Sequence, residues 1–149
     1  MPTTVELKLL PLFSGMTNEE LENVARLAIV KDYAAGSQIF FEGMESNVLH
    51  VIMSGTIEIF KKTYDEEVVL NVLRRGEYLG EVSFADNLKR SASARAKEDA
   101  TVIVLTRDSF NKLMNQSLSA TNKLLLHFCK VLAQRLRRAE QREFQSRLL

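Results

Sequence analysis

The sequence has one cysteine, Cys129, so no disulfide can form within the chain, which suits a reducing cytosol. It has two histidines, His50 and His127, too few and too far apart to suggest the clustered ligands of a catalytic metal. No paired nucleophile and base can be read from it. A net charge of +1 argues against a general nucleic-acid binder. No apolar run approaches the ~18 residues of a membrane span. Met1–Glu6 lacks the basic-then-apolar run of a signal peptide, and there is no low-complexity stretch, linker or fixed-period repeat. What is there is an ordinary globular composition, 46% hydrophobic and 26% charged over 149 residues. Such a chain buries roughly two thirds of its unfolded surface and is expected to form one domain.

Pro11-Leu12-Phe13 leads into Thr17-Asn18-Glu19-Glu20. Thr17 and Glu20 have the spacing of a capping box, in which each side chain satisfies the other's backbone N–H at a helix start. Leu21, Val24, Ala25 and Ala28 then share one helical face. From Ile29 the apolar period changes to two. The pattern predicts strands over Ile29–Tyr33, Gln38–Phe41, Val48–Ser54, Thr56–Lys62, Val68–Leu73, Ser91–Lys97 and Thr101–Thr106, with Tyr64-Asp65-Glu66 as a polar hairpin tip. Gly36, Gly43, Gly55, Gly76 and Gly80 punctuate them. Short strands broken this often indicate a mainly β fold with flanking helices: an antiparallel sandwich or roll of jelly-roll type. Val102-Ile103-Val104-Leu105 is continuously apolar, as a strand covered on both faces would be.

Thr106 is placed to cap a short helix to Asn115, with Asp108 in its first turn and Phe110, Leu113 and Met114 facing inward. A long helix without Gly or Pro starts near Ser117 or Ser119 and runs towards Leu149. Leu125, Cys129, Leu132, Leu136 and Ala139 follow 4-3-4-3 spacing, a coiled-coil-like seam suited to a homodimer, in which Cys129 reads as a small apolar core residue. The expected layout is a helical segment at about 5–28, a β-roll at about 29–106 and C-terminal helices at about 107–149. His50 and His127 read as structural, and Tyr33, Tyr64 and Tyr78 have no informative partners.

The chemistry concentrates in Gly80–Ala96, Gly-Glu-Val-Ser-Phe-Ala-Asp-Asn-Leu-Lys-Arg-Ser-Ala-Ser-Ala-Arg-Ala. Glycine lets backbone approach a ligand closely. A helical turn starting at Glu81 leaves backbone N–H groups free for an anion, and Arg90 offers a planar fork of donors that matches phosphate oxygens. Glu81 would repel a phosphate, so it must face something else. An ionised carboxylate only accepts hydrogen bonds, and a sugar hydroxyl can donate one. The set asks for one ligand with an anion and a sugar hydroxyl, which is a nucleotide.

Gly80-Glu81-Val82-Ser83-Phe84 followed by Arg90-Ser91-Ala92, placed after the glycine series, resembles the phosphate-binding cassette of the cyclic-nucleotide-binding domain. That family includes the catabolite activator protein, the protein kinase A regulatory subunit and cyclic-nucleotide-gated channels. The resemblance covers about residues 12–140. It implies a non-catalytic cytoplasmic sensor for signal transduction, with a cyclic mononucleotide as ligand and no cofactor. Ser91 favours cyclic AMP, with cyclic GMP the alternative, because threonine at this position often accompanies cyclic GMP preference. The resemblance assigns Arg90, Ser91 and the N–H groups of Val82 and Ala92 to the phosphate, Glu81 to the ribose, and Gly80 and Ser83 to the same loop. It also implies a signal relayed by movement of the long helix, and a homodimer through it.

There are two departures from the pattern. Lys89 stands where many relatives have proline. Ala139, at the level where bacterial activators touch adenine with hydroxyls, has none, which leaves Arg137, Arg138 and Glu140 as candidate base contacts. Other readings are the sensory piece of a larger regulator or channel, a relative that keeps the fold without ligand, and a cupin-like metalloenzyme. The first would place any helix-turn-helix beyond this chain; the last lacks the histidines it needs.

Overall fold

The computed structural model describes residues 1–148. Two capping boxes start the N-terminal helices. Thr3 and Glu6 open α1 (Thr4–Lys8), and Thr17 and Glu20 open α2 (Asn18–Leu27). Glu20 Oε1 accepts from the Thr17 N–H at 2.8 Å while Thr17 Oγ1 accepts from the Glu20 N–H at 3.2 Å. A 3-10 turn at Pro11–Phe13 joins the two helices and buries Leu12 and Phe13.

Eight strands follow the period-two stretch: β1 (Ile29–Tyr33), β2 (Gln38–Phe40), β3 (Val48–Ser54), β4 (Ile57–Lys62), β5 (Glu67–Leu73), β6 (Tyr78–Leu79), β7 (Ser93–Ala96) and β8 (Ala100–Thr106). They form two four-stranded sheets, ordered β1-β8-β3-β6 and β2-β7-β4-β5, in which the paired strands run antiparallel. The expected fold class holds, with one strand more than the period-two pattern marked. β6 has two residues, too few for an alternation to show.

The β1-β8-β3-β6 sheet is the middle of three layers. Leu49 and Val51 of β3 and Ile103 and Leu105 of β8 pack with the helices. Ile52, Val102 and Val104 point the other way, against Ile57, Leu73, Ala94 and Ala96 of the second sheet. This double covering is why Val102–Leu105 is apolar throughout.

After β8, Thr106 caps α4 (Arg107–Gln116), its Oγ1 accepting from the Ser109 N–H. α5 (Leu118–Leu148) follows. Glu20 Oε1 also accepts from Lys123 Nζ at 2.6 Å, and the same ammonium donates to Gly15 O. Burial pushes the Glu20 carboxyl pKa up, but the hydrogen bonds from Lys123 and Thr17 outweigh it and hold the group at about 2. The N-terminal helices are thus tied to the start of α5.

Two inward placements are corrected. Met114 is exposed, and so is Cys129. α5 meets the body through Ala120, Thr121, Leu124 and Phe128, with Val131 partly buried. Cys129 follows Phe128 by one residue, about 100° around the helix, so the face that packs on the body is not the 4-3-4-3 seam.

His50 is buried beside the Phe40 ring, and its Nδ1 has no hydrogen-bond partner among the described residues. Burial, with Arg90 and Lys31 nearby, lowers its pKa from 6.5 to about 3. Between those values the unfolded chain holds a proton that the folded one lacks, so stability is full above pH 6.5 and falls on acidification. The expected slope from this group is at most ~1.4 kcal/mol per pH unit. Urea unfolding of the wild type and His50→Leu at about pH 6.5, 5.5 and 4.5 checks it: the variant should lose less stability over that range.

Candidate ligand-binding site

The site begins at a backbone corner. Gly80 has φ +105°, the left-handed region, and a Cβ there would stand 2.3 Å from Val48 O and 3.1 Å from an Arg90 terminal nitrogen. Only glycine satisfies both the torsion and the contact. From this corner the chain enters α3 (Glu81–Asp86), whose end is closed by Asn87 with φ 57°. Arg107 holds the same end, donating to Ser83 O at 3.1 Å, Phe84 O at 2.8 Å and Asn87 Oδ1 at 2.5 Å. The Ser83 hydroxyl bonds that of Ser46, securing the turn to the β2–β3 loop.

Arg90 is held by its own backbone. Its N–H donates to Met44 O at 2.9 Å and its carbonyl accepts from the Gly43 N–H at 2.8 Å. The side chain is 8% exposed. Its guanidinium lies 4.0 Å from the centroid of the Phe40 ring and donates to Val48 O at 2.8 Å. Nε is buried without a partner among the described residues. Burial lowers the pKa to about 10, the Glu81 charge opposing it, so Arg90 remains a cation at neutral pH. A desolvated cation with an unused donor and no paired carboxylate is poised for an anion.

Glu81 is the nearby acid, and it is 3% exposed. Its Oε1 accepts from an Arg135 terminal nitrogen at 2.6 Å. Arg135 lies on α5, so the long helix and the cassette are joined through one carboxylate. Beside them the Tyr78 hydroxyl, from β6, bonds His127 Nδ1 of α5 at 3.0 Å. Burial and the Glu81 charge raise the Tyr78 pKa, and burial together with Lys130 lowers that of His127. Tyr78 therefore has a partner that the sequence did not indicate.

These groups surround a cavity of about 420 Å³. Gly80, Glu81, Val82, Ser83, Arg90, Ser91 and Ala92 all line it, with Phe40, Ile59, Asn71, Leu73, Tyr78 and Leu79 as the remaining sheet-side wall. α5 contributes Arg135 to the lining. The three α5 residues singled out as base contacts sit elsewhere. Arg138 lines a neighbouring cavity with His127 and Glu77, and neither Arg137 nor Glu140 is among the lining residues of the larger one. Sequence reasoning missed Phe40, Asn71 and Arg135, which lie outside the contiguous motif. Among the described residues there is no group of three or more metal-ligating side chains, and no helix is long and apolar enough to cross a membrane.

The cyclic nucleotide-binding domain profile matches residues 30–117, more than half of the chain. The chain is 36% identical over 108 residues to the cAMP-dependent protein kinase regulatory subunit of Aspergillus fumigatus, covering 72% of this chain and 26% of that protein. It is 32% identical over 131 residues to the cyclic AMP receptor protein of Thermus thermophilus, covering 87% of this chain and 59% of the relative. The chain thus spans between about a quarter and three fifths of the length of these relatives. Among solved structures, the Thermus thermophilus catabolite activator protein superposes with a TM-score of 0.74 at 32% identity, over 89% of this chain and 61% of the other. A cyclic nucleotide-binding domain from Methylobacillus flagellatus, 24% identical, shares the fold with a TM-score of 0.80 over 93% and 79%. The chain belongs to the cyclic nucleotide-binding domain family.

Proposed function

We propose that this chain is a non-catalytic sensor that binds cyclic AMP in preference to cyclic GMP and relays occupancy through α5. The observation that carries the reading is the buried, unneutralised Arg90 in one cavity with the buried carboxylate of Glu81. A cyclic phosphate supplies the missing anion, with Ser91 and the Val82 and Ala92 backbone beside it. The ribose 2′-hydroxyl supplies a donor for Glu81. The names of the two relatives above, each carrying cyclic AMP, support the ligand class.

The relay follows from the Glu81–Arg135 pair. A ribose at Glu81 shares or displaces the arginine that holds α5, so ligand and helix position depend on one carboxylate. Ligand biases the helix only by binding one arrangement better than another. The seam residues Leu125 and Leu136 are 43% and 60% exposed, which supports a homodimer through α5 in which a second helix covers them. The lone Cys129 suits a cytoplasmic setting, and no cofactor is invoked. Because the relatives are longer, the sensory part of a larger regulator is the alternative form of the same function. A ligand-free relative is disfavoured, because it would leave the Arg90 charge buried without purpose.

Titration calorimetry with cyclic AMP and cyclic GMP side by side tests the reading. Binding of neither overturns it. Arg90→Ala should weaken cyclic AMP binding by roughly 30- to 5,000-fold, since removing one member of a buried charge pair costs ~2–5 kcal/mol. Unchanged affinity would remove Arg90 from the phosphate. Replacing cyclic AMP by its 2′-deoxy analogue should weaken binding markedly, because a site built to pair a hydroxyl rejects an analogue without it. Equal affinities would separate Glu81 from the ribose. Saturating cyclic AMP should also raise the melting temperature or shift dimer affinity, and no change in either would exclude the α5 relay.

A further inference from the structure

We propose that the free edge of β5 is an interface between copies of this chain, in which β5 of one copy pairs antiparallel with β5 of another. β5 ends the β2-β7-β4-β5 sheet and has β4 as its single strand neighbour there. A strand in that place turns unpaired N–H and C=O groups outward, a template for a further strand. Folded proteins usually blunt such an edge by shortness, charge or proline. The other three edges of the two sheets are blunted in this way. β2 and β6 have three and two residues, and β1 carries Lys31 and Asp32 in exposed positions. β5 has seven residues with no proline and no lysine, and its one charged residue, Glu67, stands at its start.

The edge is also apolar. Val68, Val69 and Leu70 are consecutive, and they are 41%, 46% and 54% exposed. Covering them with a second strand removes apolar surface from water. Leu70 is the extra residue of a bulge, since Asn71 faces Ile59 while Val69 faces Phe60. On either side of that step β5 keeps its register with β4, over Glu67–Val69 and Asn71–Leu73. The competing account is that the bulge twists the edge away from any partner, and it predicts no association through β5.

The flanking charges select a second copy as the occupant. Asp65, Glu66 and Glu67 lead into the apolar stretch, and Arg74 and Arg75 follow it. Glu67 is bridged to Lys62 and Arg95, and Arg75 donates to Met53 O. Among the described residues, Asp65, Glu66 and Arg74 have no salt bridge. Two copies laid antiparallel about an axis near Leu70 bring Glu66 of each opposite Arg74 of the other. Parallel pairing would set acid beside acid and arginine beside arginine, which is unfavourable across a ladder. A two-fold contact uses the same surface twice, so both ends are matched at once. Asn71 and Leu73 of the same strand line the nucleotide cavity, so the contact reaches one wall of that site. Combined with a dimer through α5, it joins dimers into larger assemblies.

Analytical ultracentrifugation over a range of concentrations tests this on the wild type, Val69→Lys, Glu66→Arg, Arg74→Glu and an equimolar mixture of the last two, with melting temperature as the folding control. The wild type should associate, and beyond a dimer if α5 pairs as well. Val69→Lys puts a charge on the edge and should abolish the β5 step. Each charge reversal should weaken that step by roughly 2- to 30-fold, the range of two cross-strand ion pairs. The mixture should restore it, because the two substitutions together return opposite charges to both ends of the contact. Association that none of these changes alters overturns the proposal and assigns it to α5 or another surface. A wild type that stays monomeric overturns it too, and leaves the edge to an extended segment of a different protein. Weakening by both reversals without recovery in the mixture overturns the antiparallel pairing. If Val69→Lys does not fold, the two reversals and their mixture decide alone.

Discussion

The close approach of Gly80 to Val48 sets the rest of the site. The carbonyl of Val48 at the start of β3 meets the Gly80 backbone on one side and accepts from Arg90 on the other. One oxygen therefore brings together the turn that starts α3 and the side chain that follows it. Any Cβ at residue 80 would push α3 away from the sheet, and Glu81 and Arg90 would separate with it. The Phe40 ring under the guanidinium completes the support, so Arg90 is held in place without a carboxylate partner.

The middle sheet carries this corner into the rest of the molecule. β3 and β8 are packed by helices on one face and by the second sheet on the other. The cassette leans on β3 through Val48, while Glu81 reaches α5 through Arg135. α5 is in turn fixed at its start by Lys123 on Glu20. Besides its buried apolar face, the helix thus has two ion pairs to the body, one at the N-terminal capping box and the other at a residue of the cavity lining. Between them Tyr78 and His127 add a neutral hydrogen bond whose members are driven away from their charged forms by burial.

What could be read in the sequence was what local spacing encodes. The Thr17–Glu20 box, the period of two from Ile29, the uninterrupted Val102–Leu105 run and the Gly80–Ala92 motif all lie within short windows, and each appears where its pattern put it. What escaped notice is long-range. Arg135 lies 54 residues from Glu81, and Tyr78 lies 49 from His127. No periodicity links such pairs; only the folded path of the sheets does. Phe40 looked like any strand aromatic until Arg90 lay across it. The α5 face was misjudged for Cys129 because a 3.5-residue seam and a 3.6-residue packing face coexist on one helix, and the spacing does not say which of them meets the body.

The length of α5 gives the Arg135 contact mechanical weight. Thirteen residues of α5 follow Arg135, about 20 Å of rod at 1.5 Å per residue. Those residues are exposed and unsupported by the β-roll. A tilt of about 10° about that point would sweep the far end by roughly 3 Å, close to the width of an atom. Side chains near Phe144 would then move by an amount that matters for packing, while residues close to Arg135 would hardly shift. Under the proposed relay, the helix would act as a lever whose fulcrum is the Glu81–Arg135 ion pair.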